Sequence, residues 1–191
     1  MNTKQKACTL KDVRSFLGVF PSDMLPRSVT QTGTVIINTD PHTEKGSHWL
    51  AVHFFPKSSS AYYFDSYGIL PLVPDIEAFI RRNCTVWDYN KRQLQGLTSN
   101  ICGKYCCLFA LYMDRGFTAR QFVGQLEGAA SADKRIVRTF ASEFGERGSL
   151  PPWRGNDGCG VQCSSSLLYK KWVRNRSFRH SQLCRPPIWR S

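Results

Sequence analysis

The chain has 191 residues, 41% of them hydrophobic and 13% aromatic, which places it among folded globular domains and excludes a disordered chain. It carries a formal net charge of +12, so an acidic partner is expected: nucleic acid, an anionic membrane surface or an acidic protein. It has no apolar run of about eighteen residues, no apolar signal core after Met1, and eight cysteines, a combination that predicts no membrane span and a reducing, intracellular setting.

In chain order, Thr9 to Leu17 carries a capping-type start and a short helical pattern, and predicts a helix that stops at Gly18. Thr34-Val-Ile-Ile-Asn38 is a β-branched run and reads as a strand. His48 to Phe55 and Ala61 to Ser66 read as two more strands, joined through the turn signal Pro56-Lys-Ser-Ser-Ser60. In such a hairpin the start of one strand lies beside the end of the other, so His48 and Asp65 are expected to meet. His53 has no carboxylate so placed and reads as structural; His42 reads as a loop residue.

Pro74 to Arg82 predicts a helix with acids early and bases late, as the helix dipole prefers. Cys84-Thr-Val-Trp-Asp-Tyr89 is a strand candidate. The polar loop Gly96 to Asn100 then turns the chain into a buried helix that begins at Cys102 and ends near Arg115-Gly116. A thiol at a helix N-terminus is biased toward thiolate by the unpaired N–H groups and the dipole. Cys106 and Cys107, one turn further in, read as core. Thr118 to Gly128 and Ser131 to Phe144 predict two more helices, the last stopping at Gly145. The fold class expected is α+β: a small mixed β-sheet packed against a central helix that starts at Cys102.

The inventory His48, Asp65, Gln95, Cys102 is that of a cysteine hydrolase. The thiol attacks, the imidazole takes its proton, the carboxylate orients the imidazole, and an amide stabilises the oxyanion. The pieces Ile37-Asn-Thr39, Gly46-Ser-His48-Trp49, Tyr63-Phe-Asp65-Ser-Tyr-Gly68, Cys84, Leu94-Gln95-Gly96 and Ser99-Asn-Ile-Cys102-Gly-Lys-Tyr-Cys-Cys-Leu-Phe109 resemble the adenovirus-type maturation proteases, the adenain family, and more distantly the SUMO-specific proteases. Viruses and related virus-like DNA transposons carry such enzymes. The resemblance spans roughly residues 12 to 115. The separations His48 to Asp65 and Gln95 to Cys102 favour the viral branch. Asp65 departs from the Glu of adenoviral members and matches the SUMO branch.

That resemblance implies Cys102 as nucleophile, His48 as general base, Asp65 as its orienting carboxylate and Gln95 in the oxyanion hole. It offers Trp49 as a shield over the His–Asp pair; a core aromatic is the other reading. It offers Cys84 as the attachment point of an activating peptide through a disulfide; an ordinary strand cysteine is the other. It further implies protein substrates with Gly before the scissile bond, DNA as a cofactor, no metal at the site, a monomer, and a location in the nucleus or virion. A deconjugating protease for ubiquitin-like proteins, or a catalytically silent DNA-binding virion protein, are the alternatives.

The domain expectation is a protease domain over 1–148 and a basic tail over 149–191. The tail opens on the boundary signal Ser149-Leu-Pro-Pro-Trp-Arg-Gly-Asn-Asp-Gly158 and holds eight Lys or Arg against one Asp. Its interleaved basic and aromatic residues suit phosphate contact and base stacking, or else form a flexible basic tail without a fixed target. Cys159, Cys163, His180 and Cys184 have poor spacing for a zinc site.

Overall fold

The computed structural model describes residues 1–127 and 131–145. The expectations placed on the tail, including the boundary at 148/149 and the Cys/His set, lie outside the described residues. The described chain is α+β. Five strands, β1 (Phe16–Pro21), β2 (Gly33–Asn38), β3 (Trp49–Phe55), β4 (Ser60–Phe64) and β5 (Val86–Tyr89), form one sheet in the order β1-β2-β3-β4-β5. The pairs β1/β2 and β4/β5 are parallel, and β2/β3 and β3/β4 are antiparallel. Five α-helices complete it: α1 (Thr3–Thr9), α2 (Pro74–Asn83), α3 (Cys102–Asp114), α4 (Ala119–Gly124) and α5 (Ala132–Phe144).

All six residues of β2 are buried, which a half-exposed strand would not show. The cause is that both faces of the sheet are covered. Ile36, Trp49, Ala51 and Phe64 face the core built with α3, α4 and α5. Val35, Ile37, Leu50, Val52, Phe54 and Tyr63 face a second core against Ile76, Phe79 and Ile80 of α2. Side chains alternate between faces along a strand, so the unbroken apolar run Val35-Ile-Ile37 serves both cores at once. α3 is apolar over most of its surface, apart from Lys104 and Asp114, because it packs into the first core. Its Phe109 stacks on Phe64 at 4.7 Å between ring centroids, the rings being 7° from parallel. Such a pair adds about 0.5–1.5 kcal/mol beyond the area it buries.

The helix expected over Thr9 to Leu17 does not form. Helix comes earlier, because Asn2 and Gln5 make a capping box that starts α1 at Thr3. Thr9 is its last residue, and the Thr9 hydroxyl donates to the Gln5 carbonyl at 2.8 Å. The chain then turns, and Ser15 N–H donates to Asp114 Oδ1 at 2.7 Å. Phe16 onward is drawn into parallel pairing with β2, and Gly18 marks a register break there instead of a helix stop.

Candidate active site

His48 immediately precedes β3, and Asp65 immediately follows β4. In the antiparallel register Ala51 pairs with Phe64, so these two ends converge. His48 Nε2 lies 3.0 Å from Asp65 Oδ1. Asp65 Oδ1 also accepts the Tyr67 N–H at 2.7 Å, and Oδ2 accepts the Tyr63 hydroxyl at 3.4 Å. Asn90, just past β5, clamps the Asp65 backbone from both sides: Asp65 N–H donates to Asn90 Oδ1 at 3.0 Å, and Asn90 Nδ2 donates to the Asp65 carbonyl at 2.5 Å. The carboxylate is therefore buried and fixed.

Two glycines hold the loops that carry these groups. Gly46 has φ +83°, and a Cβ there would run into the Asn38 amide, so the loop from Gly46 to His48 packs directly on the end of β2. Gly68 has φ +69°, and a Cβ there would stand 2.6 Å from the Arg92 backbone. That close approach brings Leu94 and Gln95 against Ser66, whose carbonyl accepts both their N–H groups at 2.9 and 3.0 Å.

Cys102 is the first residue of α3, with no side-chain cap on Ile101 before it. Its N–H is among the first four of the helix, which have no acceptor within the helix. Burial pushes the Cys102 thiol up, but hydrogen bonding and charge from His48, a backbone hydrogen bond from Trp49 and the charge of Lys6 outweigh that and leave it below the ordinary thiol value. Burial pushes His48 down, yet its hydrogen bonds to Asp65 and Cys102 and their charges carry it to about 9. The two shifts have opposite sign and reinforce one another, as in a thiolate–imidazolium pair. With Nε2 on Asp65, the ring's Nδ1 is left for the thiol.

Gln95 is fully buried. Its Oε1 accepts the Ser66 hydroxyl at 2.8 Å, and its Nε2 donates to the Tyr67 hydroxyl at 3.2 Å and to the Ser99 carbonyl at 2.5 Å. His48, Trp49, Tyr67, Gln95, Ser99 and Cys102 line one cleft of about 290 Å³. The Ser99 hydroxyl is buried there without a hydrogen-bond partner among the described residues.

The four residues His48, Asp65, Gln95 and Cys102 thus come together. Trp49 lines the same cleft and belongs to the first core; its ring covers the Lys6 ammonium at 3.3 Å from the centroid. Cys84 stands apart. It caps α2, is buried in the second core, and its thiol donates to the Ile80 carbonyl at 3.3 Å. Cys106 and Cys107 are fully buried, and His42 is an exposed loop residue paired with Asp23. Sequence reasoning passed over Tyr67, Ser66, Asn90 and Lys6. Tyr67 and Ser66 stand inside the Phe-Asp-Ser-Tyr-Gly run, and that adjacency was the available signal; Asn90 and Lys6 carried none.

Residues 16–72, which include His48 and Asp65 but not Gln95 or Cys102, match the family model described as adenovirus endoprotease. The protease of Bovine adenovirus 2 is 30% identical over 114 residues, 51% of this chain and 56% of that protein. The protease of Bovine adenovirus 4 is 26% identical over 184 residues, 87% of this chain and 82% of that protein. A crystal structure of the ASFV protease overlays with a TM-score of 0.41 at 21% identity, covering 63% of this chain and 45% of that one. The chain spans little more than half the length of the first of these relatives. Over the segment that carries His48 and Asp65, the chain is similar to the adenovirus endoproteases.

Proposed function

We propose that the chain is a cysteine endopeptidase of the adenovirus-protease type. The observation that carries this is the pair of buried Asp65 and half-buried His48 at 3.0 Å beside a cysteine at the start of α3, whose thiol is pulled down while the imidazole is pushed up. The Cys102 thiolate attacks the scissile carbonyl carbon, forming the C–S bond. The oxyanion is met by the Cys102 N–H and by Gln95 Nε2, which turns to it from the Tyr67 hydroxyl. Collapse breaks the C–N bond as His48 gives its Nδ1 proton to the leaving amine. His48 then takes a proton from water, which attacks the thioester and frees the thiol. Asp65 holds the ring in one tautomer throughout.

The substrates are viral or virus-like precursor proteins with Gly before the scissile bond. The net charge of +12 supports DNA as a non-sequence-specific aid to the reaction, in the nucleus or virion of a host cell. β5 is an edge strand among the described residues, so an activating peptide adding to it would pass near Cys84. Burial raises the Cys84 thiol, which makes it a slower partner in disulfide exchange than an exposed thiol.

The test is labelling with a peptide-based thiol electrophile ending in Gly, on wild type, Cys102→Ala and His48→Ala, with and without DNA. Selective labelling of Cys102 that requires His48 is expected. A rise with DNA that disappears at high salt is expected of DNA assistance. Absence of selective labelling under every condition favours a silent binding protein, and cleavage only after the Gly-Gly end of a folded ubiquitin-like protein favours a deconjugating enzyme.

A further inference from the structure

Lys6 lies on α1 and is completely buried. Its ammonium donates to the Met1 carbonyl at 2.5 Å and sits 3.3 Å from the centroid of the Trp49 ring. It forms no ion pair with a carboxylate among the described residues. A Cβ on Gly103 would stand 2.7 Å from Lys6 Cε and 3.1 Å from Nζ, so the ammonium is packed on the residue that follows Cys102, at the first turn of α3. A cation in that place is opposed by the helix dipole and by its own burial. One carbonyl and one aromatic face offset only part of that cost. An anion at the helix N-terminus would offset the rest.

Among the described residues, the charged or titratable groups facing Lys6 are few. The thiols of Cys107, Cys106 and Cys102 come from α3, and the Met1 amino group from the segment ahead of α1. His48 acts on Cys102 as well, and Lys104 and Asp65 act on the Met1 amine and Cys106 in turn. Burial keeps Cys106 and Cys107 protonated, the latter pushed up to about 12. Of the three thiols, only Cys102 is drawn down.

Resting on the protease reading above, we propose that Lys6 is a positioning residue that supplies a second cation to the site, its buried ammonium stabilising the Cys102 thiolate alongside the His48 imidazolium. The lysine and Gly103 then form one device: glycine leaves the space, and the ammonium fills it. Burial leaves Lys6 itself at about 8, so the device is charged through neutral pH and fades above that value.

The test measures the thiol and not the peptidase. The rate of Cys102 alkylation by iodoacetamide is followed against pH in the full chain, with Cys102→Ser as blank, for wild type, Lys6→Met and Gly103→Ala. Lys6→Met removes the charge and keeps the stem. It is expected to move the thiol's midpoint up, by about one unit at most, so that labelling on the acid side of the midpoint slows by up to about tenfold and converges with wild type at high pH. Gly103→Ala keeps the charge but drives the ammonium off the helix turn, and is expected to shift the midpoint the same way by less. It decides the matter if Lys6→Met does not fold. Midpoints unchanged in the folded variants, or a wild-type Cys102 titrating as an ordinary thiol, would overturn the proposal. A lysine-dependent midpoint in a chain that cleaves no peptide would instead overturn the protease reading and leave the ion pair standing.

Discussion

His48 and His53 lie five residues apart, beside and within the same strand, and their environments drive them in opposite directions. His53 sits inside β3, fully buried, with Nδ1 2.8 Å from the Thr34 hydroxyl and its ring 4.6 Å from that of Phe55. Burial takes it down to about 4, so it is neutral at physiological pH. His48 stands where the strand opens into the cleft, between a fixed carboxylate and a thiol, and is carried up to about 9. The thiols repeat the contrast: Cys102 is lowered at the helix start, and Cys106, one turn on, is raised by complete burial. The chemistry is set by what the fold places beside each group, and proximity in sequence says little about it.

The contrast is broken most forcefully at the two reacting groups. Cys102→Ala and His48→Ala are each expected to lower peptide turnover by about 10⁴-fold or more, while Cys106→Ala leaves kcat within a few-fold and lowers stability instead. Steady-state kinetics beside urea unfolding separate the two kinds of loss. Equal losses of turnover at Cys102 and Cys106 would remove the contrast. A smaller effect is expected at Gln95. Replacement by Ala should cost about 10²- to 10³-fold in kcat with little change in KM, since the amide is needed only when the oxyanion forms.

Much of this was readable before the fold was known, and the reason is local. The β-branched run of β2, the Pro-Ser turn between β3 and β4, and the acids-first helix α2 are specified by near neighbours. The hairpin then forces His48 toward Asp65. The misreading of Thr9 to Leu17 as helix has the opposite cause. β1 exists through parallel pairing with β2, a contact made across the turns between them that leaves no period in the sequence. The supporting polar groups were hidden for the same reason: Asn90 reaches Asp65 across twenty-five positions, and Lys6 reaches the start of α3 from the other end of the domain.

The neutral histidine gives the next effect in size. A group whose folded value is depressed below its unfolded one favours the folded state when deprotonated. His53 therefore contributes stability that is complete above about pH 6.5 and is lost as pH falls toward about 4. The loss amounts to about 3 kcal/mol. Urea midpoints between these limits are expected to fall in wild type and to stay flatter in His53→Phe. For His48 the sign is reversed. Its raised value predicts that turnover declines as pH rises through about 9, about tenfold per unit, as the imidazolium that protonates the leaving amine is lost. A rate that stays level past that point would deny His48 its charged form.

The smallest effect expected is at Thr34, and it isolates the neutral histidine from the rest of the core. Thr34 and His53 are directly paired across β2 and β3, and both are buried. Thr34→Val keeps the shape and removes the hydroxyl, leaving the His53 Nδ1 without its partner in a dry site. That is expected to cost about 1 to 2 kcal/mol at neutral pH. Adding His53→Phe removes the orphaned nitrogen as well, and the double variant should recover part of the loss, because two apolar groups in place of a hydrogen-bonded pair leave nothing unsatisfied. Neither change reaches the cleft, so labelling of Cys102 should be unaltered in both. A fall in Cys102 reactivity alongside the stability loss would mean that the two histidines are coupled through β3, and the separation of a structural from a chemical histidine along one strand would no longer hold.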